Sequence, residues 1–216
     1  LFSYCGKLVG HYPIASWLRI ACSFIKRSAD GVKWEDYIGE RAEWMLSDVM
    51  KRVKENDPVG GQWNVDSIDK CTVWCDASNI GIGAQMEVAG RVVEDAAWLR
   101  KADDGVHINV AELEAVIKGV NLALKWKMKT ITIMTDSATV HGWLIAALKD
   151  THKIHTKGIS EMLVKRRIGL LKELASEYNV KLACIWIPTG KNKADVLTRV
   201  PKTWMEDKKI KACIAK

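Results

Sequence analysis

The sequence of 216 residues lacks long apolar runs, internal repeats and low-complexity segments. Its most apolar stretch, Ile14 to Ile25, is interrupted by Arg19 and followed by Lys26, so it falls short of the roughly 18 residues of a membrane span. The first residues also lack the succession of charged, apolar and small residues that marks a signal peptide. We therefore expect a soluble protein, and the missing initial methionine predicts a piece of a longer polypeptide.

Cysteine pairs of the CxxC type are absent as well, and no histidine stands near a cysteine at zinc-finger spacing. The six cysteines are therefore predicted to be reduced, mostly buried thiols of an intracellular protein. They are Cys5, Cys22, Cys71, Cys75, Cys184 and Cys213.

Charge is unevenly distributed in a composition that is otherwise ordinary for a globular protein, with 48% hydrophobic and 27% charged residues. The net charge of +7 combines an acidic half, with 18 acidic and 13 basic residues from Leu1 to Ile117, and a basic half, with 8 acidic and 20 basic residues from Lys118 to Lys216. A basic region of this kind indicates a polyanionic partner.

Two segments with different patterns of apolar residues meet at a proline and glycine cluster, Asp57 to Gly61, which cannot continue a helix. Before it, apolar residues recur every three to four positions from Ile38 to Val53, and Leu1 to Arg27 has a helical pattern broken at Pro13. We predict a small helical unit over 1–62, a larger domain over 63–204 and a basic tail over 205–216.

The pattern after this cluster is one of short strands and amphipathic helices. Three β-prone segments joined by tight turns are followed by alternating helices and strands, in the order βββαβααβα. This order predicts an α/β fold with a mixed five-stranded sheet flanked by helices. The predicted strands are 71–75, 80–88, 91–99, 130–134 and 181–187, and the predicted helices are 109–126, 138–148, 159–177 and one after Gly190.

Four acidic residues occupy unusual positions. Asp76 and Asp136 end the first and fourth strands, so they meet if those strands are neighbours. Glu112 lies at the edge of the apolar face of the first long helix, and Asp195 opens the last helix. Two carboxylates roughly 4 Å apart repel by about 4 kcal/mol, so such a cluster holds protons or cations, and oxygen ligands suit Mg²⁺. The alternative is that each acid is an ordinary solvated surface group.

The order of these acids and their surroundings resembles ribonuclease H as it occurs in retroelement polyproteins. The stretch Trp186 to Arg199, with the motif P-x-G-x-N-x-A-D-x-L-T-R, is most similar to the Ty3/gypsy-like branch. This resemblance covers Asp69 to Val200. Upstream, Leu1 to Pro13 resembles the segment between the thumb and connection regions of reverse transcriptases, and Val32 to Trp34 resembles the link into the nuclease.

The resemblance implies a ribonuclease H-like fold that hydrolyses the RNA strand of RNA/DNA hybrids during reverse transcription of a retroelement. It implies two Mg²⁺ ions, with Mn²⁺ as a substitute, of which one activates water and the other stabilises the leaving 3′ oxygen. The implied catalytic and metal-binding residues are Asp76, Glu112, Asp136 and Asp195. The implied partners are the hybrid and a polymerase domain of the same polyprotein, with no membrane. The implied location is intracellular, in the cytoplasm or in virus-like particles, with the nucleus as an alternative.

A second set of residues is predicted to contact the substrate. The resemblance matches Asn109 to a position that reaches the minor groove, and capping of the helix that it begins is the equal alternative. Ser137 follows one of the predicted metal ligands. On the long helix, basic side chains would contact phosphates without reading sequence, and a solvated helix face is the alternative. These basic residues are Lys165, Arg166 and Arg167, with His152, Lys153, His155 and Lys157 upstream and Lys172 downstream.

Ten tryptophans raise the question of whether some of them stack on bases. Trp74 and Trp186 fall in predicted strands, and Trp126 and Trp143 fall in predicted helices. We therefore predict that most of them pack in the core.

The sequence departs from the family pattern at two places. Many relatives have a histidine in the loop after Pro188, where this chain has Thr189 and Gly190. We expect the core chemistry to survive, with product release or proton transfer that is either slower or dependent on another group. Asn192 also stands one residue nearer to Asp195 than in the commonest pattern.

Two other functions remain open: an integrase or transposase of the same fold, and a silent remnant that binds hybrids or proteins.

Overall fold

The structure of the protein is a computed structural model that describes residues 1–11, 14–33, 35–55, 68–101, 105–149 and 161–205. Its helices are α1 (Phe2–His11), α2 (Ser16–Ser28), α3 (Glu40–Glu55), α4 (Ile108–Lys125), α5 (Ala138–Leu148), α6 (Glu161–Glu177) and α7 (Lys202–Met205). Its strands are β1 (Lys70–Ala77), β2 (Gly81–Val88), β3 (Arg91–Leu99), β4 (Thr130–Thr135) and β5 (Lys181–Trp186). Two short 3-10 turns, Thr189–Lys191 and Asp195–Leu197, precede α7.

The five strands form one mixed sheet in the order β3-β2-β1-β4-β5. Strands β1, β2 and β3 are antiparallel neighbours, whereas β4 runs parallel to both β1 and β5. The predicted α/β fold with a mixed five-stranded sheet is therefore confirmed.

One face of the sheet is covered by α4, α5 and α6. The apolar positions that predicted α4 form its buried side, and α4 lies directly against β1 and β2. Gly119 allows this close approach, because a Cβ there would stand 2.5 Å from Cγ1 of Val73 and 2.9 Å from Sγ of Cys75. The helix is therefore held at a fixed height above the strand that carries Asp76.

The opposite face is covered by two helices that precede the sheet in the chain, α2 and α3, which we call the helical pair. The backbone N–H of Ser16, at the start of α2, donates to both carboxylate oxygens of Asp95 in β3, at 3.1 and 3.2 Å. Apolar residues of the helical pair share one buried core with residues 192–204, which we call the closing segment. The members of this core on the helical pair are Leu18, Ile20, Ala21, Ile25, Ala42, Met45 and Val49, and on the closing segment Ala194, Leu197, Val200 and Trp204.

The prediction that Asp195 opens the last helix was wrong. The short helix expected after Gly190 begins only at Lys202, and two 3-10 turns precede it. The side chain of Asn192 accepts a hydrogen bond from the backbone N–H of Ala194 at 3.1 Å. Such a local side-chain bond competes with helical hydrogen bonding. Asp195 therefore opens a 3-10 turn.

Several predictions fall wholly or partly outside the described residues. The boundary between residues 62 and 63 lies there, as do the tail beyond Met205 and the basic and histidine residues of 152–157. The division into domains stays a prediction. Five cysteines are described and all of them are buried, as expected, whereas Cys213 is outside. In the described part of the chain no helix combines the length and the apolar character of a membrane span.

Candidate active site

Two carboxylates stand at the ends of the paired parallel strands β1 and β4. Cys75 lies opposite Thr135 in the parallel register, so Asp76 and Asp136, one residue further along, leave the strands side by side. Asp76 is buried, and Asp136 is partly exposed. The first and fourth strands are therefore neighbours, which is the condition under which the sequence places these two acids together.

A third carboxylate, Glu112, comes from α4. The amino-terminal part of this helix points at the carboxyl end of β1, and Glu112 is only 9% exposed. One carboxylate oxygen from each of Glu112, Asp76 and Asp136 lies within 4.8 Å of the other two. We call these three residues the acid cluster.

Burial and mutual repulsion destabilise the charged forms of the carboxylates in the acid cluster. The pKa of Glu112 is raised to about 8, first by burial and then by the negative charges of Asp76 and Asp136. Its Oε2 atom is buried and has no hydrogen-bond partner among the described residues. A buried, unpaired carboxylate oxygen costs free energy, and a divalent cation would compensate it. The oxygen donors of the cluster therefore fit an ion such as Mg²⁺.

The pKa of Asp76 is raised to about 6, mainly by burial and less by the charges of Asp136 and Asp195. A hydrogen bond from the hydroxyl of Thr198 lowers it, because Oγ1 lies 2.5 Å from Oδ2 of Asp76. The same hydroxyl lies 3.0 Å from the main-chain oxygen of Asp195. Thr198 thus links Asp76 to the backbone of the fourth acid.

Asp195 itself lies beside the acid cluster and not within it. Among the residues that the structure describes, only the three acids of the cluster bring their oxygens within 4.8 Å of one another. Arg199 forms an ion pair with Oδ1 of Asp195, without the geometry of a hydrogen bond. The charge of Asp195 still raises the pKa of Asp76. The four predicted ligands are thus neighbours, with the fourth at the edge.

Asn192 ties the closing segment to the ends of both strands. Its Nδ2 donates to Oδ1 of Asp136 at 3.0 Å and to the main-chain oxygen of Cys75 at 2.9 Å. The side chain of Asn192 is buried, so its bond to Cys75 is shielded from water, whereas its bond to the partly exposed Asp136 is only partly buried. Asn192 therefore orients one acid of the cluster while it anchors the segment that carries Asp195.

Lys193 anchors the same segment to the face of the sheet. Its Nζ lies 2.6 Å from Oε1 of Glu87 and 4.9 Å from the ring centroid of Trp74. Gln85 also donates to Oε1 of Glu87, at 3.0 Å. The carboxylate of Glu87 is buried, so its pairing with Lys193 satisfies a charge that would be costly alone.

Thr198, Asn192 and Lys193 were not assigned roles from the sequence. Asn192 and Thr198 are both part of the motif that carried the family resemblance, so their presence in it was the available signal. The role of Lys193 could not be inferred from the sequence, because its partner Glu87 is 106 positions away.

The structure places the predicted substrate residues at two separate locations. Asn109 lies in the first turn of α4, but the cap of that helix is His107, whose Nδ1 accepts from the backbone N–H of Asn109 at 3.2 Å. The capping alternative for Asn109 was therefore wrong. Ser137 caps α5 by accepting from the backbone N–H of Val140 at 3.4 Å. Both residues stand next to the acid cluster in the chain, and their contact with a substrate stays a prediction.

The basic residues of α6 lie on a helix packed against α4 and not at the acid cluster. Lys165 forms an ion pair with Glu161 at 2.6 Å, and Arg167 forms one with Glu114 at 3.1 Å. Arg166 is exposed and has no ion pair within the described residues. The basic run 165–167 thus offers one cation without an ion pair among the described residues, together with two that are paired.

In metal-free protein, Glu112→Gln is expected to increase stability at alkaline pH relative to the wild type. The pKa of Glu112 is about 8 in the folded protein and 4.5 as an ordinary glutamate, so the folded state favours the protonated form. The wild type therefore loses stability as pH rises from about 4.5 to about 8, whereas the variant has no proton to lose. We expect a relative gain on the order of a few kcal/mol between pH 5 and pH 9.

Urea unfolding at both pH values with a chelator measures this gain. Glu114→Gln is the matched control, because Glu114 lies on the same helix in ion pairs with Lys118 and Arg167, away from the acid cluster. A stability difference that does not change with pH would contradict the expectation.

Comparison with protein families gives two matches. Residues 69–199 match the family described as RNase H, and residues 1–55 match a domain of unknown function, DUF7047. None of the curated proteins compared with the chain matches it.

Solved structures with a similar fold include both enzymes and a larger viral protein. The foamy viral protease-reverse transcriptase in complex with an RNA/DNA hybrid is 16% identical, with a TM-score of 0.56, and the match covers 92% of this chain and 25% of that one. RNase H1 from the archaeon Halobacterium salinarum is 18% identical, with a TM-score of 0.49 over 64% of this chain and 98% of that one. The N-terminal RNase H domain of a Mycobacterium tuberculosis protein is 22% identical, with a TM-score of 0.47 over 67% of this chain and 98% of that one.

Proposed function

Because this chain belongs to the ribonuclease H family of hydrolases, we propose that it cleaves the RNA strand of RNA/DNA hybrids during reverse transcription of a retroelement. The observation that carries the proposal is the acid cluster, in which three carboxylates converge within 4.8 Å at the carboxyl ends of β1 and β4. Carboxylates this close fit divalent ions, which are the usual means of phosphodiester hydrolysis at such sites.

Asp76, Glu112, Asp136 and Asp195 are the proposed ligands of two Mg²⁺ ions, and Mn²⁺ is the proposed substitute. When bound, such ions activate water for attack on the phosphodiester and stabilise the leaving 3′ oxygen. The protein supplies the orientation of the ligands. The hydroxyl of Thr198 holds Asp76, and the amide of Asn192 holds Asp136.

The choice of the RNA strand is proposed to depend on its 2′-hydroxyls, which distinguish RNA from DNA at a protein surface. Asn109 lies in the first turn of α4, the helix that carries Glu112, and Ser137 caps α5 directly after Asp136. These residues are the proposed contacts to the hybrid near the cleaved bond.

The retroelement context is supported by two observations. The sequence motif from Trp186 to Arg199 resembles the Ty3/gypsy-like branch, and the fold shared with the foamy viral protease-reverse transcriptase extends over 92% of this chain. We propose a polymerase domain of the same polyprotein as the partner, and the cytoplasm or a virus-like particle as the site of action.

The decisive experiment incubates the chain with a labelled RNA/DNA hybrid in Mg²⁺. Duplex DNA, duplex RNA and single-stranded RNA of the same sequence serve as controls. We expect cleavage of the RNA strand of the hybrid only, and its loss with a chelator. Binding of the hybrid without cleavage would instead favour the silent remnant, and transfer of DNA strands would favour an integrase or transposase.

Arg166→Gln is expected to weaken hybrid binding two- to fivefold and to reduce the slope of log affinity against log salt by about 1 unit. The change removes one exposed cation of α6 and leaves the acid cluster intact, so the rate at saturating hybrid stays unchanged. Binding titrations at several salt concentrations measure the effect.

Lys51→Gln is the control for Arg166→Gln, because it removes the same charge from α3, on the other face of the sheet. If both variants weaken binding equally, α6 is a solvated helix face without a role in binding.

A further inference from the structure

The closing segment is held between two layers of the protein. On its inner side lie β1 and β2, where a Cβ at Gly83 would stand 2.8 Å from Cβ of Leu197 and 3.0 Å from Cγ2 of Thr198. On its outer side lies the helical pair. Residues 192–204 are all described and none of them belongs to a strand, so no ladder of backbone hydrogen bonds fixes their position.

The apolar contacts of the closing segment are made with the helical pair on both sides of Asp195. Ala194 and Leu197 flank this acid in the sequence, and both are buried in the core that the helical pair provides. Val196, in contrast, is exposed. The backbone at Asp195 is therefore fixed by the burial of its neighbours, while its carboxylate pairs with Arg199 and acts electrostatically on Asp76.

Polar contacts to the helical pair fix the far end of the segment. Arg41 of α3 donates to the main-chain oxygen of Trp204 at 3.0 Å, and the indole N–H of Trp204 donates to Oδ2 of Asp48 at 3.1 Å. The ring of Phe24 of α2 lies 6.1 Å from that of Trp204. Trp204 is fully buried by these contacts.

The helical pair also contacts β2, at a point close to Thr198. A Cβ at Gly81 would stand 2.7 Å from Cδ1 of Ile20 and 3.5 Å from the main-chain oxygen of Thr198. That oxygen accepts a hydrogen bond from Ser78 at 2.7 Å. Ile20 therefore closes the space behind the residue that links Asp76 to Asp195.

We propose that the helical pair is a positioning element of the nuclease, which holds the closing segment and so keeps Asp195 beside the acid cluster. This assigns a role to the region matched by the domain of unknown function. The inference rests on the proposed function only in that Asp195 is taken as a metal ligand. The structural part of the proposal, that α2 and α3 hold residues 192–204 in a fixed conformation, does not depend on activity.

The test uses the full chain with Asp48→Ala, which removes the acceptor of the Trp204 indole. In metal-free protein, hydrogen exchange is followed at the backbone amides of Leu197 and Thr198, which donate to Ala194 and Asp195. We expect exchange about tenfold faster at these amides, with α4 and β4 unchanged.

Two variants serve as controls. Asp48→Asn keeps an acceptor oxygen and is expected to restore wild-type exchange, and Lys51→Ala on the same helix alters only an exposed ion pair with Glu55 and is expected to change nothing. In the cleavage assay, Asp48→Ala is expected to raise the Mg²⁺ concentration for half-maximal activity about fivefold, again with restoration by Asp48→Asn.

Unchanged exchange at Leu197 and Thr198, or an equal increase throughout the chain, would overturn the positioning role. Because the exchange measurement needs neither metal nor substrate, it decides this role even if the wild type does not cleave hybrids. Absence of cleavage by the wild type would count against the proposed function alone.

Discussion

Asp76→Asn is expected to lower the rate of RNA cleavage in an RNA/DNA hybrid by a factor on the order of a thousand or more. The substitution keeps the shape of the side chain and an oxygen that can accept from Thr198, but it removes the negative charge at the centre of the acid cluster. Asp76 accepts a hydrogen bond from Thr198, and the negative charges of Asp136 and Asp195 both raise its pKa. Its loss should therefore weaken the binding of every ion that the site holds.

A measurement of stability distinguishes the loss of cleavage in Asp76→Asn from misfolding. Because burial and neighbouring acids raise the pKa of Asp76, the neutral asparagine is expected to leave metal-free protein at least as stable as the wild type at pH 7. Single-turnover cleavage and thermal unfolding of the same sample measure both quantities, and Glu114→Gln is the control with an intact cluster. Persistent cleavage by stable Asp76→Asn protein would remove Asp76 from the chemistry.

Gly119→Val is expected to destabilise the fold by roughly 3 kcal/mol or more. A single added Cβ would already stand 2.5 Å from Cγ1 of Val73, and the two further methyl groups of valine have no space between α4 and β1. Val73 and Cys75 are both fully buried, so neither can turn towards solvent. The helix must move away from the sheet, and Glu112 moves with it.

Urea unfolding measures the loss, and Gly142→Ala in α5 is the matched control. A Cβ at Gly142 meets no atom within 4 Å, so this substitution is expected to gain about 0.5 to 1 kcal/mol from helix propensity alone. Wild-type stability of Gly119→Val would show that α4 does not approach β1 as closely as the structure indicates.

The acid cluster was largely predictable from the sequence because its members follow regular elements. β-Branched and apolar residues before Asp76 and Asp136 indicate strands, and residues at the carboxyl ends of neighbouring parallel strands must converge. Glu112 follows from the apolar period of its helix, which places it at the edge of the buried face. Periodicity is a local property, so it sufficed to assign each of these three acids to its element, whereas their convergence also depends on the pairing of β1 with β4.

The environment of Asp195 was not predictable in this way. Besides the local bond between Ala194 and Asn192, the two 3-10 turns are held by side-chain bonds from Asn192 and Thr198 to distant residues. No local pattern encodes a bond across 117 or 122 positions. The contact of Lys193 with Glu87 is equally remote in sequence. The family motif placed Asp195 at the site, although the helix expected around it was wrong.

Surface exposure at the end of β5 was also missed. Trp186 is an exception to the prediction that most tryptophans pack in the core, because 49% of its surface is exposed on the edge strand β5. Its indole N–H donates to the main-chain oxygen of Asp136 at 3.0 Å. Strand order is a property of the whole sheet, so the position of this tryptophan at the rim of the site could not be inferred from its own segment.

The hydrogen bond between Arg41 and Trp204 joins residues 163 positions apart, and this separation affects how the protein is made. At about 5 to 20 residues per second, a ribosome needs roughly 8 to 33 s to synthesise Trp204 after Arg41. During that time β3 becomes available to pack against α2, but the residues of the closing segment that complete this core do not yet exist. The core between the helical pair and the sheet is therefore completed only after Trp204 has been synthesised, and the backbone around Asp195 is held in place only from that point.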